Sequence, residues 1–249
     1  MDWQGGRMRN IKISYQYDGS SFMGFQRQPN QRTVQGEIEK SLFHILREKI
    51  DLISSGRTDR GVHAMQQVSN FFTAMNIPSD RLFYALSRNL PEDILLLQVE
   101  EVDSEFHARF SAKARIYRYC ITWKKSPFEH RYKAYVKEKI ESTEFSKILQ
   151  VFIGRHNFQN FRLQDSSFAN PMREIYSISV EEVENGMNID IVANAFLKSQ
   201  IRIMIGTALQ IYFRKVEKER ITRMLEELET EFPKYLADSS GLYLYRIEY

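Results

Sequence analysis

Residues 11–102 set out a strand, a helix, two strands, a helix and a strand, and this order restricts the fold more than any other property of the chain. "IKISYQY" (11–17) alternates in character and is rich in β-formers, so it predicts a strand. After a long polar loop, Thr33 stands where an N-cap would, ahead of Val34, Ile38, Leu42 and Ile45/Leu46 on one helical face. "DLIS" (51–54) and "QQVSNFF" (66–72) predict short strands on either side of a polar turn. Residues 79–88 predict a second helix and "ILLLQVEEV" (94–102) a fourth strand. The second half repeats the rhythm, with a strand at 115–123, a helix around 142–153, strands at 172–184 and 187–193, a helix at 196–213 and a strand at 242–247. Only the order repeats, not the residues. Two split β-α-β halves with mainly antiparallel sheets are expected, an α+β class. The halves are expected to cover 8–105 and 106–249, with their junction near 103–110 and no Pro/Gly/Ser linker there.

The chain's 249 residues suffice for one large domain or two coupled smaller ones. No apolar run approaches the ~18–20 residues of a membrane helix. "MDWQGGRMRN" lacks the apolar core of a signal peptide, and Met8 is as good a start as Met1. The single cysteine, Cys120, excludes an intramolecular disulfide framework and points to a reducing cytoplasm. His44, His63, His107, His130 and His156 never fall at zinc-ligand spacing, so no structural metal is expected.

Net charge is +3, and its distribution says more than its size. Residues 106–137 hold nine Lys/Arg against the single acid Glu129, interleaved with eight aromatic residues. Such a mixture suits a phosphate backbone with unstacked bases, and equally a solvated strand with its rings turned inward. Acid is gathered in "VEKERITRMLEELETEF" (216–232), which predicts an exposed amphipathic helix.

"SSGRTDRGVH" (54–63) is the stretch with chemistry in it. Asp59 sits in a short turn between Arg57 and Arg60, with Gly56 and Gly61 just outside them. Glycosidic hydrolysis by the common route takes two carboxylates, and this turn offers one. An arginine ~4 Å away would contribute roughly 4 kcal/mol at an effective dielectric near 20, which holds the carboxylate as an anion at neutral pH. A permanent anion suits attack on carbon, or support of a cationic sugar, better than proton donation. One carboxylate suffices where the leaving base carries its own charge, as the uracil anion does. The plainer alternative is that Asp59 only caps the turn.

"GRTDRGVHA" resembles the active-site motif of the tRNA pseudouridine synthase A (TruA) family. "YDGSSFMGFQRQPNQRTVQGEIEKSL" (17–42), "FHARFSAKARIYRY" (106–119), "ANAFLKSQIRIMIG" (193–206) and "GLYLYRIEY" (241–249) resemble its other segments in the same order. The resemblance implies two ferredoxin-like halves whose sheets form one continuous central sheet, with an active-site cleft between them. It implies a cofactor-free isomerisation of uridine to pseudouridine at tRNA positions 38, 39 and 40, by a cytoplasmic homodimer that needs no metal. By the same resemblance Asp59 is the nucleophile, acting at C1′ or at C6. Arg202 pairs with it, Tyr117 stacks on the target base, and Leu242 lines the base pocket. Arg57 and Arg60 would meet the RNA, as would Arg109, Lys113, Arg115 and Arg118 along its backbone. His63 and Gln26 are assigned to loop structure.

The sequence departs from the family pattern at Arg60, where a small residue is common. It departs again at Lys198 and Ser199, where histidines are common, and at Ile203, where asparagine is common. These departures bear on substrate choice. The alternatives are the same chemistry on another uridine or RNA, an inert tRNA-binding paralogue, and a nucleoside-cleaving hydrolase that would release free uracil.

Overall fold

The computed structural model describes residues 8–163, 170–228 and 230–249. The N-terminal residues ahead of Met8, and Glu229 of the acidic run, lie outside the described residues. The chain divides into two compact units, one running to Lys113 and taking up Leu244–Tyr249, the other Ala114–Tyr243.

The first unit contains β1 (Arg9–Tyr17), α1 (Val34–Leu46), β2 (Ile53–Ser54), β3 (His63–Thr73), α2 (Ser79–Asn89) and β4 (Ile94–Val102), the predicted order. β1 pairs antiparallel with β3 and β4, and β2 with β3, giving the order β4-β1-β3-β2 of a split β-α-β fold. Thr33 caps α1 by accepting the Gly36 N–H at 3.3 Å. Ile11, Ile13, Tyr15, Tyr17 and Phe71 of the strands are buried, as are Val34, Ile38 and Leu42 of α1 and Leu82 and Leu86 of α2. Each such side chain contributes about 1.5–3 kcal/mol by leaving water. β3 begins at His63, ahead of the predicted strand, because β1 shifts register between Tyr15 and Tyr17 and continues pairing at Ala64.

The C-terminal residues complete this unit. Glu248 O accepts from Lys113 N–H at 2.8 Å, Tyr249 Oη donates to Ala108 O at 2.9 Å, and Lys12 Nζ lies 5.4 Å from the centre of the Tyr249 ring.

The second unit contains β5 (Ala114–Thr122), β6 (Ala134–Tyr135), α3 (Ser142–Gln150), β7 (Gly154–Asn157), β8 (Met172–Val183), β9 (Gly186–Ala193), α4 (Gln200–Tyr212) and α5 (Arg220–Glu226). It also holds the first two residues of β10 (Leu242–Glu248). β5-β9-β8-β7 pair antiparallel, and the short β6 runs parallel to β5. α3 stops sooner than its pattern predicts. Phe152 and Ile153 N–H bond back only three residues, and Gly154 then takes φ +108°.

α4 starts at Gln200 rather than 196. Asn194 Oδ1 binds the Ala195 and Glu174 N–H groups, Gln200 Oε1 takes the Leu197 N–H, and Ser199 is left-handed at φ 57°. The acidic run is not one exposed helix. Among its described residues only α5 is helical, Ile221 and Met224 are buried, and Phe232 is buried beneath the Arg220 and Arg223 guanidinium groups. No helix among the described residues is long and apolar enough to cross a membrane.

Cys120 is half-buried on β5, and burial pushes its thiol up to about 11 against the opposing pull of Arg118 and Lys133. Only the thiolate alkylates, so its reaction with iodoacetamide at pH 8 should be on the order of 10²-fold slower than that of free cysteine. The rate should keep climbing towards pH 11. A plateau near pH 8.5 would contradict the burial of this sulfur.

Candidate active site

Asp59 is half-buried in the connection from β2 to β3. Its carbonyl accepts the Val62 N–H at 3.2 Å, and Gly61 at the third position has φ 77°. That is type II turn chemistry, which asks for glycine at this place. Arg60 at the second position is exposed.

The turn is held from several directions. On its β2 side, Ser55 N–H bonds Val68 O at 2.9 Å and Ser55 Oγ donates to Gln67 Oε1 at 2.6 Å. Gln67 Nε2 then reaches Gly56 O at 3.0 Å. The end of β1 and the loop after it supply the rest. Phe25 N–H donates to Thr58 O at 3.1 Å, and the Tyr17 hydroxyl is 2.8 Å from Thr58 Oγ1. Gly24, at φ 98°, lies so close that a Cβ would stand 3.3 Å from Thr58 O and 3.4 Å from Arg60 N. Gly19 lies closer still, where a Cβ would fall 2.0 Å from Val62 O. Its N–H donates to Nδ1 of buried His63 at 3.1 Å. His63 thus joins the start of β3 to the loop after β1. Gln26 also serves its loop, accepting from Arg57 Nη1 at 2.6 Å. Arg57 is exposed and engaged by that loop.

The remaining site residues belong to the second unit. Tyr117, on β5, is 8% exposed and meets Phe196 edge-on at a ring separation of 5.1 Å. Two residues along, Tyr119 is buried and its hydroxyl donates to Asp238 O at 2.9 Å. Burial drives that phenol far above its ordinary range, with Arg202 pulling the other way. Tyr119 is no base. Arg202, on α4, donates from Nε to Ala237 O at 2.9 Å, while Ala237 N–H donates to Arg202 O. One turn on, the absence of a side chain at Gly206 admits Tyr235 O to where a Cβ would be only 2.0 Å away. Leu242 is buried at the start of β10.

Two of the expected backbone cations are committed inside the unit. Arg118 grips Asp190 with two bonds of 2.7 Å, and buried Arg115 donates to Asn194 O at 2.6 Å. Arg109 and Lys113 are exposed. Among the described residues no three His, Cys, Asp or Glu side chains are grouped as metal ligands. Tyr17, Gly19, Gly24 and Gln67 were not singled out from sequence, though the two glycines punctuate "YDGSSFMGF" and were legible as close-approach positions.

A pseudouridine-forming site is the class that this architecture and turn fit. Residues 13–111 and 148–249 match the family described as tRNA pseudouridine synthase. Curated relatives called tRNA pseudouridine synthase A match along nearly their whole length. That of Acetivibrio thermocellus is 37% identical over 97% of this chain and 100% of its own. That of Exiguobacterium sp. is 38% identical over 97% and 98%, and that of Bacillus subtilis 37% over 96% and 98%. The solved "archaeal box H/ACA sRNP Nop10-Cbf5 complex" overlaps 82% of this chain and 43% of its own at 10% identity and a TM-score of 0.38, too distant to bear on the reading. The chain belongs to the tRNA pseudouridine synthase family, of the TruA type, and is an isomerase.

Proposed function

We propose that the chain converts uridine to pseudouridine at positions 38, 39 and 40 of the tRNA anticodon stem-loop, with Asp59 as nucleophile. The observation that carries this is the Asp59 turn: a single half-exposed carboxylate on a backbone fixed by Thr58, Gly56 and Val62 contacts. The N1–C1′ bond breaks, the uracil turns within the site, C5 bonds to C1′, the hydrogen on C5 leaves as a proton, and N1 takes up a proton from solvent. Asp59 forms its adduct with C1′ or with C6 and is released unchanged, so no cofactor or metal is consumed. Arg202 pairs with Asp59. Tyr117 stacks on the target base, and its phenol, ordinarily near pH 10, is a weak base at neutral pH, which makes stacking its main role. Leu242 forms an apolar wall of the base pocket, and Arg57 and Arg60 meet phosphates flanking the extruded uridine. The enzyme acts in the cytoplasm as a homodimer, as the resemblance implies.

A second reading, the same chemistry on a different uridine, is favoured by exposed Lys198 two residues ahead of α4, the helix that carries Arg202. The test is tritium release from tRNA transcripts labelled at C5 of uridine. One tritium should leave for each pseudouridine formed, and mapping should place the product at 38, 39 and 40. Product elsewhere selects the second reading. No release from any tRNA that the protein binds would overturn both.

A further inference from the structure

Residues 123–139 connect β5 to the segment before α3 and lie outside the residues matched to the family, 13–111 and 148–249. They carry six Lys/Arg against two Glu. The salt bridges of this stretch, Lys133 to Glu129 at 2.6 Å and Lys139 to Glu182 at 3.4 Å, leave Lys124, Lys125 and Lys137 exposed. Among them stands Phe128, 88% exposed. An apolar ring in water on a monomeric surface is common when isolated, but this one is fixed in place.

Phe128 N–H donates to Ser126 Oγ at 3.2 Å, and Tyr132 and Lys133 N–H both donate to Glu129 O, at 2.8 and 3.0 Å. His130 Nδ1 is 2.6 Å from Pro127 O. β6 then anchors the return against β5, and Val136 N–H reaches Thr122 O at 2.8 Å. The loop also backs onto the chain around Leu242. The Tyr243 hydroxyl donates to Tyr132 O at 2.8 Å, and at Gly241 a Cβ would stand 3.0 Å from that of Ala134.

We infer that this loop is a second RNA-binding element, in which Phe128 stacks on an unpaired nucleotide while Lys124 and Lys125 neutralise its flanking phosphates. A ring presented on a hydrogen-bonded turn gives a base a platform without first having to be ordered. Lysines beside it supply the sequence-independent attraction that a stack alone lacks. The tether to residues 241–243 ties this platform to the strand bearing Leu242. The inference rests on the proposed RNA substrate.

The test measures tRNA affinity by fluorescence anisotropy over a salt series, with tritium release in parallel, for wild type, Phe128→Ala and Lys124→Ala/Lys125→Ala. Phe128→Ala should weaken binding about tenfold, within the range for one stacked base. The double lysine variant should lower the slope of log affinity against log salt by about 1.4–1.8. Wild-type binding matched by both variants, in affinity and in slope, would overturn the second RNA-binding element while leaving the isomerase reading intact. Weakened binding by the variants with no tritium release from wild type would support that element and sink the isomerase reading. A wild type that binds no tRNA overturns both.

Discussion

Replacing Asp59 with alanine should lower tritium release from C5-labelled tRNA by about 10⁴-fold or more while leaving tRNA affinity within about twofold. Removing a nucleophile that forms a covalent intermediate leaves only what binding and orientation supply, and losses of this size are typical. Asp59→Asn is the sharper variant. It keeps the volume and the turn-forming habit of the side chain, and the backbone bonds at Thr58, Gly56 and Val62 that fix the turn do not involve the carboxylate. What it removes is the charge. Equal loss in both variants assigns the effect to nucleophilicity. Asparagine retaining a tenth or more of wild-type turnover would show that Asp59 serves the turn and not the chemistry.

Gly19→Ala should be the most damaging substitution outside the reacting groups. Its methyl would fall 2.0 Å from Val62 O and 2.5 Å from Val62 C, and no flexible side chain is there to move aside. Either the 3₁₀ turn at Gly19–Ser21 or the Asp59–Val62 turn must shift. Overpacking of this sort costs typically 1–3 kcal/mol, which for a chain of this length lowers Tm by roughly 2–4 °C per kcal/mol. The activity loss should be larger than that implies. A displacement of about 1 Å at a reacting group costs on the order of 10²-fold in rate, so kcat should fall about that far with KM for tRNA little changed. A variant with wild-type Tm and wild-type kcat would show that the turn is not positioned by this contact.

The order of elements was readable because each long element carries its own period. β4 was predicted residue for residue from its run of apolar residues, and α1 from one apolar face behind Thr33. What could not be read was set by pairings and side-chain caps that leave no period in the sequence. β6 and β7, of two and four residues, hold no period at all, and β6 exists because β5 offers it an edge. α4 lost its first turn to the Asn194 and Gln200 side chains, which satisfy backbone groups that a helix would otherwise use.

The site divides in the same way. Asp59 stood out because a carboxylate between two arginines is an odd charge pattern. The sequence suggested that those arginines would hold it, yet Arg57 is engaged by Gln26 instead. Tyr17, 41 residues from Thr58, gave no sign of its role, since a buried strand tyrosine looks the same whatever its hydroxyl meets.

The first unit is discontinuous in the chain, and this fixes when it can finish folding. Lys113 waits for Glu248, and Ala108 for Tyr249, so the ribosome has delivered all of 114–243 before those bonds can close. Domains ordinarily fold as they emerge, N-terminal first. Here the earlier-made unit holds an unfilled place for its last strand throughout synthesis of the later one, and the Asp59 turn belongs to that waiting unit.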